Sequence, residues 1–302
     1  MFDVIIVGAG PAGITAAIYA ARKKISLLVI SKDIGGQAAL SGDVENYTGY
    51  QFISGPELAL KFEEHLRKFD IGLKENEAVE EIKKVNNSIQ VKTDKGFYEA
   101  RAVIIASGKR SRELGVPGEK EFKNHGLTYC ATCDGPIFSG KDVAVIGGGN
   151  SALDAAIQLI KIANKIHIIN ITPGFTGDPV MRDIVTANQK ITVLHNTQVT
   201  AIEGSKAVTE IKIKNGNKEE ILPVEGVFVE IGLIPNSEFI KDVEKNKLGE
   251  IKVNSYNETS IPGIFAAGDV TDVPEKQIVI AAGEGSKAAL TVFRYLIHNQ
   301  VS

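Results

Sequence analysis

At 302 residues the chain is long enough for about two domains, and its 43% hydrophobic and 24% charged content is that of an ordinary globular protein. With 34 basic against 37 acidic residues, a formal net charge of -3, it offers no basic footprint for nucleic acid and no polybasic membrane tail. A chain of this length builds its own core, so neither disorder nor a disulfide-stapled miniprotein fits. Phe2–Val7 reads as a short apolar strand of the parallel type, then a glycine turn, then a helix over Ile14–Arg22. The uncharged run Val4–Ala21 approaches the length of a membrane span. Gly8, Gly10, Pro11 and Gly13 interrupt it, however, and Asp3 rather than a basic cluster precedes it. Neither a span nor a signal peptide is expected, and the protein is expected to be cytoplasmic.

The opening pattern returns later. Asp3–Ala20 reads DVIIVGAGPAGITAAIYA, and Asp142–Leu159 reads DVAVIGGGNSALDAAIQL; they coincide at the leading Asp-Val, at two glycines and at an Ala-Ala-Ile run. Each copy is strand, G-x-G-x-x-G/A, helix, the turn that aims a helix N-terminus at a pyrophosphate. One such motif is weak evidence; two, each between a strand and a helix, point to two nucleotide-binding domains. Between them, Ser88–Thr93 and Phe97–Ala106 are predicted strands around a Lys95-Gly96 turn, and Val103–Ile105 runs into Ser107-Gly108 at a ligand edge. Downstream, Lys165–Ile169 is the second strand of the second copy. β-like segments follow at Lys190–Ile202, Val208–Lys214 and Glu220–Leu222, with Asn215-Gly216 as a hairpin signal. A short strand is expected at Leu248–Val253. Ile261–Val270 is apolar and ends near Gly-Asp, and Gly283–Tyr295 is a closing helix.

Cys130-Ala-Thr-Cys133 uses every cysteine in the chain. The C-x-x-C spacing in an otherwise cysteine-free chain reads as a redox pair. Zinc would need two more soft ligands, and none of the five histidines lies at ligand spacing; His125, the nearest, reads as a surface or core histidine. No metal is expected. In the first glycine motif, Gly8 permits the tight turn, Gly10 lets backbone approach a pyrophosphate and Gly13 allows close helix packing. The acid that usually follows the second strand is missing, because Val29-Ile30 leads to Ser31, with Asp33 nearby.

GAGPAG at 8–13, GGQ at 35–37, VENYTGY at 44–50, CATCDGP at 130–136, GGGNSA at 147–152 and GIFAAGDV at 263–270 occur in that order. On these motifs the chain resembles the low-molecular-weight thioredoxin reductases from end to end. It also resembles the flavoprotein half of bacterial alkyl hydroperoxide reductase, especially at FVEIGLIPN (228–236) and towards the C-terminus. The resemblance implies an α/β protein with two Rossmann-like, three-layer β/β/α domains, the second inserted in the first. Residues 1–114 and 244–302 would form the FAD domain, and 115–243 the inserted NAD(P)-type domain with the cysteine pair. It implies FAD held by Gly8, Gly10, Pro11, Ala12, Gly13, Gly36, Gln37, Asn46, Gly108, Asp269, Lys276, Gln277 and Ile278. Asp269 would meet the ribityl chain and Gln277 the isoalloxazine edge. It further implies that Cys130 attacks a thioredoxin disulfide, that Cys133 faces the flavin, and that Asp134 is the proton-transfer acid, otherwise a turn or cap aspartate. A homodimer and a rotation between domains are expected on the same ground.

The chain departs from the family at the second nucleotide site. NADPH-dependent relatives carry a His-Arg-Arg run and a further arginine after the second strand. Here Asn170-Ile171-Thr172-Pro173-Gly174 follows Lys165–Ile169, and the arginine pair is absent. Losing two charge-assisted phosphate bonds costs about 3–6 kcal/mol, or two to four decades of affinity. Lys165 and Arg182 do not fall at the clamp's positions, and no ribose-binding acid stands at 170–172. The chain is similar in this respect to flavin thioredoxin reductases that take electrons from ferredoxin. A ferredoxin near about -400 mV lies roughly 130 mV below thioredoxin, about four decades downhill for two electrons. The expected activity is therefore FAD-dependent reduction of thioredoxin with reduced ferredoxin as donor. The alternatives are a nicotinamide-driven reductase or peroxiredoxin-system flavoprotein, and a non-catalytic flavin or redox sensor.

Overall fold

Alternate residues of the opening strand Phe2–Ala9 enter opposite cores. Val4 and Ile6 pack with the helices, whereas Ile5 and Val7 pack on the other face. A parallel strand covered on both sides needs such a continuous apolar run, because successive side chains point to opposite faces. The computed structural model describes residues 1–41 and 43–299. Its chain divides into two compact units. One comprises residues up to Ser41 with Glu45–Arg110 and Ile234 onwards, and the other comprises Ser111–Leu233 with the segment ending at Val44.

In the first unit Phe2–Ala9 lies between Leu27–Ile34 and Phe97–Ile105, both parallel to it, and Gly72–Lys74 extends the sheet beyond Leu27–Ile34. Phe97–Ile105 belongs to two layers. Its start pairs antiparallel with Ser88–Thr93, and its end pairs in parallel with Ile264–Ala266. Val79–Val85 completes the antiparallel layer. The helices Pro11–Arg22, Gly55–Leu66 and Ile278–His298 supply the remaining layer. Gly285 lets the closing helix meet the opening one, since a Cβ there would lie 2.0 Å from the Ala12 carbonyl oxygen.

The second unit repeats the plan. Five parallel strands run in the order Leu127–Thr128, Gly226–Val229, Asp142–Ile146, Lys165–Ile169 and Ile191–Leu194. An antiparallel sheet of Thr197–Gly204, Val208–Asn215 and Lys218–Pro223 accompanies them, with Gly216 at φ +58° in the expected hairpin turn. The α/β class and the Rossmann-like sheets are therefore as expected.

Three details differ from the sequence reading. Residues 234–243 belong to the first unit, not to the inserted one, and residues 111–114 belong to the second unit, not the first. Ile240 and Val243 are buried in the first unit's core, and the Phe239 carbonyl accepts the Ile82 N–H. Lys190–Ile202 is not continuous; a turn with Asn196 at φ +53° splits it between the two sheets of the second unit. Leu248–Val253 is not a strand. The Asn246 side chain accepts the N–H groups of Leu248 and Glu250 and curls the segment, leaving only isolated bridges at Ile251.

Replacing Gly285 by Val should overpack the helix contact and destabilise the protein by about 1–3 kcal/mol, read as a lowered midpoint in denaturant with an unchanged m-value. An unaltered midpoint would show that the two helices separate without cost.

Candidate flavin cradle and redox-active cysteine pair

The first glycine turn is built from contacts that a side chain would destroy. Gly8 has φ +104°, and a Cβ on it would sit 2.4 Å from the Ala106 oxygen. A Cβ on Gly13 would lie 1.8 Å from the Gly8 oxygen. Gly10 faces open space instead, its Cβ position 4.0 Å from Gly36 Cα. Pro11 occupies the first turn of the helix Pro11–Arg22, Ala12 follows it, and no side chain caps the N-terminus. The turn therefore presents unspent backbone N–H groups and the positive end of a helix dipole.

The other flavin candidates lie in the same unit. Gly36, at φ +54°, opens the short helix Gly36–Ala39 that carries Gln37. Asn46 donates to Gln277 Oε1 at 3.1 Å, joining two candidates far apart in sequence, and Ile278 begins the closing helix. Gly108, at φ +66°, follows Ser107, and its carbonyl accepts the Asn236 N–H. Asp269 is partly buried with no hydrogen-bond partner among the described residues. Burial pushes its carboxyl up, while Lys276 and Lys109 oppose the rise. Lys276 donates to the Thr271 carbonyl and lies 3.4 Å from Glu250, which also pairs with the buried Lys109. Lys109 was missed by the sequence reading, since no local pattern marks a lysine there as buried. Ser31, at the place of the missing acid, is spent internally: it accepts the Ala9 N–H and donates to the Asp33 carbonyl.

In the second unit Cys130 and Cys133 form a disulfide, with Cα atoms 5.3 Å apart. Cys130 caps the short helix Ala131–Asp134, and its Sγ accepts the Cys133 N–H at 3.1 Å. Asp134 is buried and receives the Thr128 hydroxyl, which also accepts the Cys130 N–H. Another residue missed by the sequence reading stands here. Burial, reinforced by Asp154, pushes the Glu230 carboxyl up to about 8, against the opposing pull of the Ala131 backbone. Its signal was an acid inside the apolar run Val227-Phe228-Val229-Glu230-Ile231.

The second glycine turn sits in the same unit. Gly149 precedes the helix Asn150–Leu159, again without a side-chain cap. The segment from Thr172 to Asp178 folds back onto it: Thr176 donates to the Gly148 carbonyl and Asp178 N–H to Asn150 Oδ1. Asn170, only 2% exposed, anchors that loop. Its Oδ1 accepts the Thr172 N–H and hydroxyl, and its Nδ2 donates to the Gly174 carbonyl and meets His195 Nδ1 at 3.1 Å. An amide has two donor hydrogens and two acceptor positions, so Asn170 has none left.

Residues 2–285 match the family model described as pyridine nucleotide-disulphide oxidoreductase. The chain belongs to this family. A thioredoxin reductase from Streptococcus pyogenes is 39% identical, with a TM-score of 0.93 and 99% of both chains covered. A ferredoxin-flavin thioredoxin reductase from Clostridium acetobutylicum is 30% identical, with a TM-score of 0.54, covering 100% of this chain and 99% of that one. A Bacillus subtilis protein named NADH dehydrogenase is 42% identical over 99% of the chain, and an alkyl hydroperoxide reductase component of Pseudomonas aeruginosa is 42% identical over 98%. The chain spans only 59% and 58% of the lengths of these last two. Members of the family bind FAD, the cofactor of this chain, and the residues present fit it. Gly10 leaves room at an uncapped helix end for a pyrophosphate, and Asp269 is a partly buried acceptor to which none of the described residues donates.

Asp269→Ala should weaken FAD binding by about ten- to a hundredfold, the worth of a hydrogen bond to a charged acceptor, with the fold intact. Titration of the apoprotein followed by flavin fluorescence reads this directly; an unchanged dissociation constant would remove Asp269 from the cradle.

Proposed function

We propose that the protein is an FAD-dependent reductase that passes electrons through Cys130 and Cys133 to the disulfide of thioredoxin, with reduced ferredoxin as the electron donor. The observation that carries the donor is the saturation of Asn170. At the strand end where a nicotinamide reductase grips the adenosine ribose or its phosphate, every hydrogen-bonding position of this side chain is used by its own loop and His195. A pyrophosphate turn without a ribose contact binds dinucleotides weakly and with little preference. The likeness to the ferredoxin-flavin enzyme supports the same reading.

The turn Gly8–Gly13 and the helix behind it would hold the FAD pyrophosphate, Asp269 the ribityl chain, and Asn46 with Gln277 the ring edge. Bound FAD supplies a carrier that fills one electron at a time and empties two to a disulfide. In this reading the Cys130 thiolate attacks the partner disulfide, eased by the Cys133 N–H at its sulfur, and Cys133 resolves the mixed disulfide. Asp134, held by Thr128, moves the proton that the leaving thiolate needs. Homodimerisation, which rests on the family resemblance, and a cytoplasmic location belong to the same reading. Among the described residues, no helix is long and apolar enough to cross a membrane.

A second reading, reduction by NADH in a peroxide-removing system, is favoured by the 42% identity to the Bacillus and Pseudomonas proteins. Anaerobic mixing separates the two. Reduced ferredoxin should bleach the flavin rapidly, at a rate that falls with added salt, while NADH and NADPH act slowly at millimolar concentration. Fast, saturable bleaching by micromolar NADH or NADPH would refute the ferredoxin assignment.

The cysteine roles have their own test. Cys133→Ser should lose turnover yet trap thioredoxin as a mixed disulfide through Cys130, whereas Cys130→Ser should lose both turnover and trapping while its flavin still bleaches. Near-normal turnover in either variant would show that this disulfide is not the one that reacts.

A further inference from the structure

Three neighbouring parallel strands carry at their carboxyl ends, in sheet order, the cysteine pair, Glu230 and the second glycine turn. Leu127 pairs with Val227 and Thr128 with Phe228, so Cys130 comes two residues after the end of one strand and Glu230 directly after the end of its neighbour. On the other side, the Glu230 N–H donates to the Ile146 carbonyl at 2.8 Å. Gly147 stands beside it at φ +143°, where a Cβ would lie 2.4 Å from the Glu230 carbonyl oxygen. Strand order thus puts Glu230 on the strand between the one that leads to the disulfide and the one that leads to the turn.

The side chain points to the same conclusion. Its carboxyl lies within electrostatic reach of the backbone of Ala131, the residue that follows Cys130 and opens the cysteine helix. The charged groups on the elements packed around it are also acids. Asp154 projects from the helix Asn150–Leu159, where Gln158 donates to it at 2.6 Å, and Asp134 lies on the cysteine helix, engaged with Thr128. Gln158 in turn accepts the hydroxyl of Thr132, between the two cysteines. A negative charge that appears on sulfur here therefore arises among carboxyl groups.

We propose that Glu230 is a positioning residue of the cysteine pair, one that couples reduction of the disulfide to the uptake of a second proton. The proposal rests on the reading of Cys130 and Cys133 as the redox pair. Reduction breaks the Sγ–Sγ bond with two electrons from a dithiol or from the enzyme's own donor; one sulfur takes a proton and the other remains a thiolate. A thiolate beside an ionised Glu230 sets two negative charges together, so the carboxylate takes a proton from solvent. Where Glu230 is already neutral, below about pH 8, no second proton enters. Above that, and up to the still higher value that the thiolate imposes, two protons enter per disulfide. In this window the equilibrium for reduction falls by up to about a further tenfold per pH unit, because each added proton contributes one decade.

The holoprotein, equilibrated anaerobically with mixtures of reduced and oxidised dithiothreitol between pH 6 and 10 and then acid-quenched, alkylated and weighed by mass spectrometry, reports the dithiol fraction. Because reduced dithiothreitol gives up two protons of its own, the native dithiol fraction should rise with pH up to about 8, while one proton is released per exchange, and level off above it, where Glu230 takes that proton up. Glu230→Gln should lose this levelling-off, and Glu230→Asp, which keeps an acid on the strand end, should retain it. Asp154→Asn should move its onset to lower pH, since a neighbouring negative charge is removed. Superimposable curves for the native protein and Glu230→Gln overturn the proposal while leaving the redox pair in place. A native disulfide that dithiothreitol opens at no pH overturns both.

Discussion

The close approach of the Gly8 carbonyl to Gly13 is the constraint on which much of the first unit depends. With a Cβ position only 1.8 Å from that oxygen, no residue but glycine lets the helix Pro11–Arg22 begin so near its own strand. The helix then lies over the sheet, burying Ile14, Ala17 and Ile18, and takes the closing helix against Ala12 through Gly285. The same closeness leaves the first turn of the helix short of acceptors. An anion at Gly10 would answer a deficit that the packing creates. Core and proposed cofactor site would in this sense be one arrangement.

The second unit uses the same turn under different terms. Gly147 is required by the neighbouring Glu230 carbonyl, and Gly148 by the Asn170 amide, whose Oδ1 would lie 2.4 Å from a Cβ. Both glycines are thus explained by contacts within the protein, without reference to a nucleotide. The matching motif strings conceal this difference, because a glycine that makes way for a ligand and one that makes way for a neighbouring carbonyl read alike.

Much of the architecture was legible from the sequence because it follows from period and punctuation. The paired strand–turn–helix units, the Asn215-Gly216 hairpin and the closing helix all rest on local patterns. The failures have local causes too. Leu248–Val253 carries a strand-like composition, but Asn246 offers its side chain to the backbone and only isolated bridges at Ile251 form. The boundary at 243 was misplaced because Ile240 and Val243 look the same whichever core they enter. Asn46 and Gln277 were expected at one site only by resemblance, and their hydrogen bond is visible only in three dimensions. Glu230 was passed over since its environment comes from three strand ends, which no linear window contains.

The saturation of Asn170 also bears on how nucleotide preference could be altered in this scaffold. An aspartate at that position would forfeit both amide donors and set its carboxylate against the Gly174 carbonyl, the acceptor that the amide now satisfies. A glutamate would have to displace the Thr172 hydroxyl and N–H from the same pocket. A ribose-binding acid therefore cannot be introduced at this strand end by one letter of the sequence. Grafting a relative's acid without its loop would exchange a satisfied strand end for an unsatisfied one.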